Sequence, residues 1–178
     1  MDKFGIKSVF PFSVLATFDA TCKNIEPLVD YIPNVTLIQI KEDHPLEDGR
    51  QRRYVRFHGD AAIPAIARAI LKPEMLRWHE EFLCDYNNWE VNWNIITDVF
   101  TEHVHCSGKT YYREHPDGIE VELQGEFSIS LDHIPGIPSV IVRKAVQILE
   151  PMIVKLITPN LKEFFEAAKE KLKADAMR

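Results

Sequence analysis

The sequence predicts an α+β fold in which a curved antiparallel sheet of about six or seven strands wraps around one long C-terminal helix. In residues 119–131 every odd position is apolar or glycine, and every even position is polar. This period of two is typical of a strand with one buried face, and Gly125 predicts a bend in it. Residues 138–178 then carry apolar side chains at helical spacing. A sheet that curves over a helix leaves room for an apolar cavity between them.

The segments before this strand predict the other elements in order. Residues 4–18 place apolar side chains at even positions and predict a strand, with Pro11 at an edge or a bulge. Asp19 and Thr21 are typical caps of a short helix that ends near Tyr31. The apolar spacing of residues 61–71 predicts a second short helix. Further strands are predicted at 35–40, 50–58, 76–84, 89–96 and 100–113.

Composition limits the classes of partner. A chain of 178 residues suits one domain, which we expect to span residues 1–178. The net charge of −6 argues against nucleic acid as the main partner. The densest basic cluster, residues 50–56, is predicted to be a solvated turn and strand edge.

Targeting and redox signals predict a cytoplasmic protein. The chain shows no signal-peptide pattern and no apolar stretch long enough for an integral membrane segment. Cys22, Cys84 and Cys106 are an odd number of cysteines without metal-ligand spacing. We therefore expect reduced thiols, with neither a disulfide nor a zinc site, and no cofactor is predicted.

Several segments resemble the START and pollen-allergen superfamily, also called SRPBCC. Residues 12–18, followed by Asp-Ala-Thr-Cys, are similar to the first strand and first helix of this superfamily. Residues 31–35 resemble the entry into its second strand. The Pro-Asp-Gly turn at 116–118, the alternating strand and the long helix follow in the order of the family, so the resemblance covers about residues 4–172.

The resemblance implies a helix-grip fold and a hydrophobic ligand. Members of the superfamily bind lipids, sterols, polyketides or hormones, and some catalyse polyketide cyclisation. Pro151 and Pro159 depart from the unbroken closing helix of the family. We expect kinks at both prolines without an end to the helix, because the apolar periodicity continues through Pro151.

Candidate ligand-binding residues follow from this arrangement. Aromatic side chains at strand spacing and apolar side chains on one helix face are expected to line a common space, although such residues also form ordinary cores. The candidates are Trp78, Glu80, Phe82, Trp93, Tyr112, Phe127, Ile141, Ala145, Ile148 and Met152.

Glu80 is the candidate whose position decides the chemistry. If it follows Trp78 and Phe82 inward, its carboxyl lies in an apolar setting that raises its pKa. A bulge or an edge position would instead leave Glu80 in water, and we favour this interpretation. Because the sequence offers no clear second acid or base beside Glu80, no catalytic residue is assigned. His103 and His105 share one face of a strand, but we expect that face to be in water, so no metal site is assigned.

Three functions remain open at this point. The first is non-covalent binding of a hydrophobic or amphipathic small molecule, such as a lipid, a fatty acid or a polyketide-like compound. The second is an enzyme of the cyclase or aromatase type, with Glu80 or Tyr112 as acid or base. The third is a protein-interaction module with a filled core. The sequence leaves the oligomeric state open.

Overall fold

The computed structural model describes residues 1–178, which form seven strands and two α-helices. The strands are β1 (Asp2–Phe10), β2 (Val35–Pro45), β3 (Arg50–Gly59), β4 (Arg77–Asp85), β5 (Glu90–Thr97), β6 (Val104–His115) and β7 (Gly118–Ile129). The helices are α1 (Val14–Phe18) and α2 (Ser139–Ala176). Short helical turns occupy Asp19–Lys23, Glu26–Asp30, Ala67–Ala69 and Pro73–Met75.

All seven strands form one antiparallel sheet in the order β1-β7-β6-β5-β4-β3-β2. Strands β2 to β7 pair with their neighbours along the chain, and β1 joins the sheet beside β7. Helix α2 packs against β1 and β7 and against the helical turns Asp19–Lys23, Glu26–Asp30 and Ala67–Ala69. This arrangement confirms the predicted fold class of a sheet wrapped around a long C-terminal helix.

Strand β7 shows why the alternating pattern predicted one buried face. Ile119, Val121, Leu123 and Phe127 are all buried within the main hydrophobic core. Gly125 also lies on this face, opposite Gly108 of β6. The ring of Trp93 would lie 2.5 Å from a Cβ atom at Gly125. The glycine therefore makes room for an indole ring, a role that the expectation of a simple bend did not include.

The predicted strand at residues 4–18 is too long. Strand β1 ends at Phe10, just before Pro11. The Ser13 hydroxyl accepts a hydrogen bond from the backbone N–H of Ala16 and caps helix α1. The apolar residues at even positions after Pro11 therefore lie in a helix and not in a strand. The Ser13 cap determines the backbone conformation of this segment, and the alternation of apolar residues does not.

Two other predicted elements are also shorter than expected. In residues 61–71 only Ala67–Ala69 is helical, as a single 3-10 turn. Strand β6 begins at Val104 and not at residue 100, because Phe100 adopts a left-handed backbone with φ of 55°. The chain therefore reaches β6 through an irregular connection.

Helix α2 runs without interruption for 38 residues through Pro151 and Pro159. Both prolines are exposed. Its N-terminal half contributes Val142, Ala145 and Leu149 to a second hydrophobic cluster, whose other members are Ile63, Ala67, Ile70 and Leu131. Its C-terminal half contributes Phe165 to the main core, where the ring meets Phe10 edge to face. No helix combines the length and the apolar character needed to cross a membrane.

The prediction of reduced thiols is wrong for two cysteines. Cys22 and Cys84 form a disulfide that joins the turn Asp19–Lys23 to β4, and Cys106 is the free, buried thiol. The two half-cystines are 62 residues apart in sequence, so their spacing carried no signal. The expectation of a cytoplasmic location rested partly on reduced thiols and loses that support.

Arg53 also departs from the solvated basic cluster that was predicted. Its side chain is fully buried beside the disulfide. The guanidinium donates hydrogen bonds to the Cys22 carbonyl oxygen at 3.0 Å and to Asp43 Oδ1 at 3.1 Å. Odd positions of β3 face the core, so Arg53 shares that face with Val55 and Phe57.

Candidate ligand cavity

An apolar cavity of about 130 Å³ lies between the sheet, helix α2 and three connecting segments. Of its 16 lining residues, 14 are hydrophobic. The sheet contributes Arg77, Trp78, Thr97, Val104, Phe127 and Ile129. Helix α2 contributes Val146, Leu149 and Ile153. The connections contribute Ile70, Leu71, Met75, Leu76, Val99, Phe100 and Leu131.

The cavity lies where the two hydrophobic clusters meet. Phe127 belongs to the main core, whereas Ile70, Leu131 and Leu149 belong to the second cluster. The lining is buried or half-buried throughout, except for Arg77 at the start of β4, whose side chain is exposed. Arg77 therefore marks the edge of the cavity nearest to solvent.

Trp78 forms one wall, and neighbours on two sides hold its ring. The indole stacks on Phe57 at a centroid distance of 5.5 Å with an interplanar angle of 2°. The indole N–H donates a hydrogen bond to Glu80 Oε1 at 3.1 Å. Stacking and hydrogen bonding together define the orientation of this wall.

Glu80 faces the concave side of the sheet, so the interpretation that left it in water is wrong. It shares the inner face of β4 with Phe82 and Cys84, both buried. Its partners across the sheet are Val55 in β3 and Ile95 in β5. The strand is regular here, and neither a bulge nor an edge turns the carboxyl outward.

The surroundings of Glu80 change its acidity. Burial raises the pKa of its carboxyl from 4.5 to about 7, and the hydrogen bond from Trp78 partly opposes this rise. A carboxyl with a pKa near 7 exchanges protons readily at neutral pH. Cys106, on the same face, differs: burial, followed by the charge of Glu80, raises its pKa to about 12, so the thiol stays protonated.

Thr97 is the polar group of the lining whose side chain has no partner. It pairs with Trp78 across β4 and β5 and therefore lies on the same face. Its hydroxyl oxygen is buried and neither accepts nor donates a hydrogen bond within the chain. Sequence analysis missed this residue, because a single threonine at the end of a strand carries no signal.

The predicted site residues of the sheet divide into two groups. Trp78 and Phe127 line the cavity, and Glu80 lies beside Trp78. Phe82 and Trp93 lie in the main core instead. Tyr112 is also in that core, where its hydroxyl lies 2.7 Å from that of Thr21 in a shared hydrogen bond, and burial raises its pKa.

None of the four predicted residues of helix α2 lines the cavity, and three of them stand one position before a residue that does. Ala145 packs in the second cluster, and Ile141 and Met152 are partly buried. Ile148 is 41% exposed and lies on the outer surface, so its assignment to the cavity is wrong. The lining residues are Val146, Leu149 and Ile153. The apolar stripe is wider than one face, and so the sequence did not determine which of its edges meets the sheet.

The two histidines predicted to face water do not share a strand face. His103 precedes β6, and its ring nitrogen lies 2.9 Å from the Ser130 carbonyl oxygen. His105 lies in β6 and is exposed. The structure contains no group of three or more His, Cys, Asp or Glu side chains that could hold a metal ion.

Comparison with known proteins gives matches of fold only. No protein-family model matches the chain, and no curated protein matches it in sequence. Among solved structures, TTHA0849 from Thermus thermophilus is 18% identical, with a TM-score of 0.65 over 98% of this chain and 99% of that one. The aromatase/cyclase Zhui from a Streptomyces species is 14% identical, with a TM-score of 0.69 over 97% and 93%. A START superfamily protein from Mycobacterium smegmatis is 12% identical, with a TM-score of 0.57 over 97% of both chains.

These likenesses define the class of protein by its fold. The chain has a helix-grip fold, in which a seven-stranded antiparallel sheet grips a long C-terminal helix. It shares this fold with proteins of the START and SRPBCC superfamily, as the resemblance of its sequence implied.

Proposed function

We propose that the protein binds a hydrophobic or amphipathic small molecule in the cavity between its sheet and helix α2, as one START-like domain of residues 1–178. The observation that carries this proposal is the lining, with 14 hydrophobic residues among 16 around about 130 Å³. Apolar ligand surface that leaves water for such a space contributes roughly 25 cal/mol per Å². The cavity also argues against the third interpretation, a module with a filled core.

The size of the cavity limits the ligand. An engineered protein cavity of about 150 Å³ stays dry and binds benzene. The present cavity therefore accommodates one ring or a short branched chain. A larger lipid, fatty acid or polyketide-like compound requires displacement of lining residues. We expect Phe100 and Val99 to be displaced, because they lie on the irregular connection before β6.

Structures with the same fold give limited support. They include a START superfamily protein and an aromatase/cyclase. A shared fold hosts many functions, so the names of these proteins suggest a function by analogy only and identify no binding site in this chain. The lining residues of this chain carry the proposal.

A cavity-filling variant tests binding. In Val146→Phe the larger side chain enters the cavity, because Val146 lines it. Val140→Phe is the matched control, since Val140 is on the same helix and 53% exposed. A fluorescent hydrophobic probe should bind the wild type and Val140→Phe and lose at least tenfold in affinity for Val146→Phe. Equal binding to both variants would place the probe elsewhere and reject the proposal.

Native mass spectrometry of the freshly purified wild type would identify a ligand that travels with it.

The position of Glu80 supports a second candidate function, proton transfer on a bound ligand. Its pKa of about 7 suits a general acid or base at neutral pH. Tyr112 is a weaker candidate than the sequence suggested, because its hydroxyl is occupied by Thr21. The sequence indicates no second acid or base beside Glu80, and we therefore rank binding first. Loss of turnover in Glu80→Gln with retained affinity for a polyketide-like substrate would reverse this ranking.

A further inference from the structure

We infer that the preferred ligand is a neutral, ring-sized compound whose hydroxyl group hydrogen-bonds inside the cavity, such as a phenol. This inference rests on the proposed function and narrows its ligand class. It follows from the unpartnered hydroxyl of Thr97 and from the distribution of charge on the concave face.

The Thr97 hydroxyl needs a partner that the chain does not provide. Its oxygen is buried in the wall of the cavity and makes no hydrogen bond. A buried hydroxyl without a partner costs free energy. A buried water molecule is held by two to four polar partners, whereas the rest of this lining is almost entirely hydrophobic. A ligand hydroxyl satisfies Thr97 better, because its ring is stabilised by the same apolar walls.

Glu80 provides a second polar group on the same face. Trp78 pairs with Thr97, and Glu80 pairs with Ile95, so Thr97 and Glu80 occupy diagonal positions of β4 and β5. Such positions are roughly 7–8 Å apart. One carboxyl oxygen of Glu80 is bonded to the Trp78 N–H, and the carboxyl receives no other hydrogen bond from the chain. The Thr97 hydroxyl lines the cavity and is able to accept a hydrogen bond from a ligand, whereas Glu80 lies beside Trp78, outside the lining residues.

The charges around the cavity disfavour an anionic ligand. Glu80 carries a negative charge in part of the molecules at neutral pH. Arg53, the other charged side chain on the concave face, donates to Asp43 and to the Cys22 carbonyl, and although its Nη2 atom has no partner, Arg53 is not among the lining residues of the cavity. Arg77 at the cavity edge is exposed, in the odd, outward-facing positions of β4. A carboxylate inside the cavity would therefore lie near the partly ionised Glu80, with Arg77 only at the solvent edge, so a fatty acid is a poor ligand.

Two matched pairs of small probes test this inference. Benzene and phenol differ by one hydroxyl, and benzamide and benzoate differ in charge. Binding is measured by NMR titration at pH 7.5. In a wholly apolar cavity phenol would bind about tenfold or more weakly than benzene, because its hydroxyl would lose its hydration without compensation. We expect phenol to bind at least as tightly as benzene, and benzamide to bind at least tenfold more tightly than benzoate.

A variant of Thr97 tests whether its hydroxyl is responsible for the binding of phenol. Thr97→Val keeps the shape of the side chain and removes the hydroxyl, so the affinity for phenol should fall about threefold to tenfold while that for benzene is kept. Thr36→Val makes the same change at an exposed position and should alter neither. Circular dichroism and the retained affinity for benzene establish that the Thr97→Val protein is folded.

Each outcome decides a different question. Binding of benzene with phenol at least tenfold weaker, or with phenol unaffected by Thr97→Val, overturns the inference and leaves the proposed function intact. Tighter binding of benzoate than of benzamide overturns the choice of a neutral ligand. Absence of binding for all four probes rejects the proposed function itself.

Discussion

The indole N–H of Trp78 donates a hydrogen bond of 3.1 Å to Glu80, two residues further along the inner face of β4. One residue therefore forms a wall of the cavity and also stabilises the ionised form of the carboxyl beside it. Burial acts in the opposite direction and is the larger effect, so the pKa of Glu80 settles at about 7. The shape of the cavity and the acidity of Glu80 are coupled through this single contact.

Replacing Trp78 by phenylalanine should raise the pKa of Glu80 above its value of about 7, because the donor that opposes burial is lost. Carboxyl-detected NMR titration of Glu80 measures this change. Trp89→Phe, at the turn before β5, is the matched control and should leave the pKa of Glu80 unchanged. A lower pKa in Trp78→Phe would mean that water enters and that burial no longer dominates.

Stability should depend on pH through Glu80. Its pKa is raised in the folded state, so the folded protein favours the protonated carboxyl. The stabilising contribution is complete below the unfolded pKa of about 4.5 and is lost as pH rises through about 7. The corresponding free energy is about 3 kcal/mol. Urea unfolding should show Glu80→Gln to be more stable than wild type at pH 8, with a smaller or no advantage at pH 5. An equal difference at both values would contradict the assignment.

Much of the fold was predictable because buried and exposed faces alternate in its strands. In β7 the sequence pattern alone identifies Val121 and Leu123 as buried, and the structure agrees. The same alternation misled at residues 11–18, where one capping hydrogen bond from Ala16 to Ser13 starts a helix. Periodicity records which side chains leave water, whereas caps and turns set the backbone conformation.

The site was less predictable than the fold. The apolar stripe of α2 includes both Ile148 and Leu149, and only packing against the sheet shows that Leu149 meets the cavity. Phe100 lines the cavity and has a left-handed backbone conformation, which no local sequence pattern predicts. The Cys22–Cys84 bond likewise depends on a contact between distant segments. Each of these features is set by tertiary packing, which a single sequence does not encode locally.

Reduction should destabilise the protein through the Cys22–Cys84 bond. This bond spans 62 residues, and opening a native disulfide typically costs about 2–4 kcal/mol. Urea unfolding with and without a reductant measures the loss. The double variant Cys22→Ser/Cys84→Ser is the control and should be insensitive to reductant. Thiol titration of the unfolded, unreduced protein should detect Cys106 alone, and detection of all three cysteines would contradict the disulfide.

A side chain at Gly125 should destabilise the protein, because Trp93 and Phe4 occupy the space that its Cβ atom would need. A Cβ atom there would lie 2.5 Å from the Trp93 ring and 2.6 Å from the Phe4 ring. Gly125→Ala should therefore reduce the free energy of unfolding by about 1–3 kcal/mol, the usual cost of overpacking. Trp93→Phe removes part of the obstructing ring, so in the double variant the alanine should cost less than it does alone. Urea unfolding of the four proteins gives this coupling energy. Additive losses would show that the alanine acts through the strand backbone and not through Trp93.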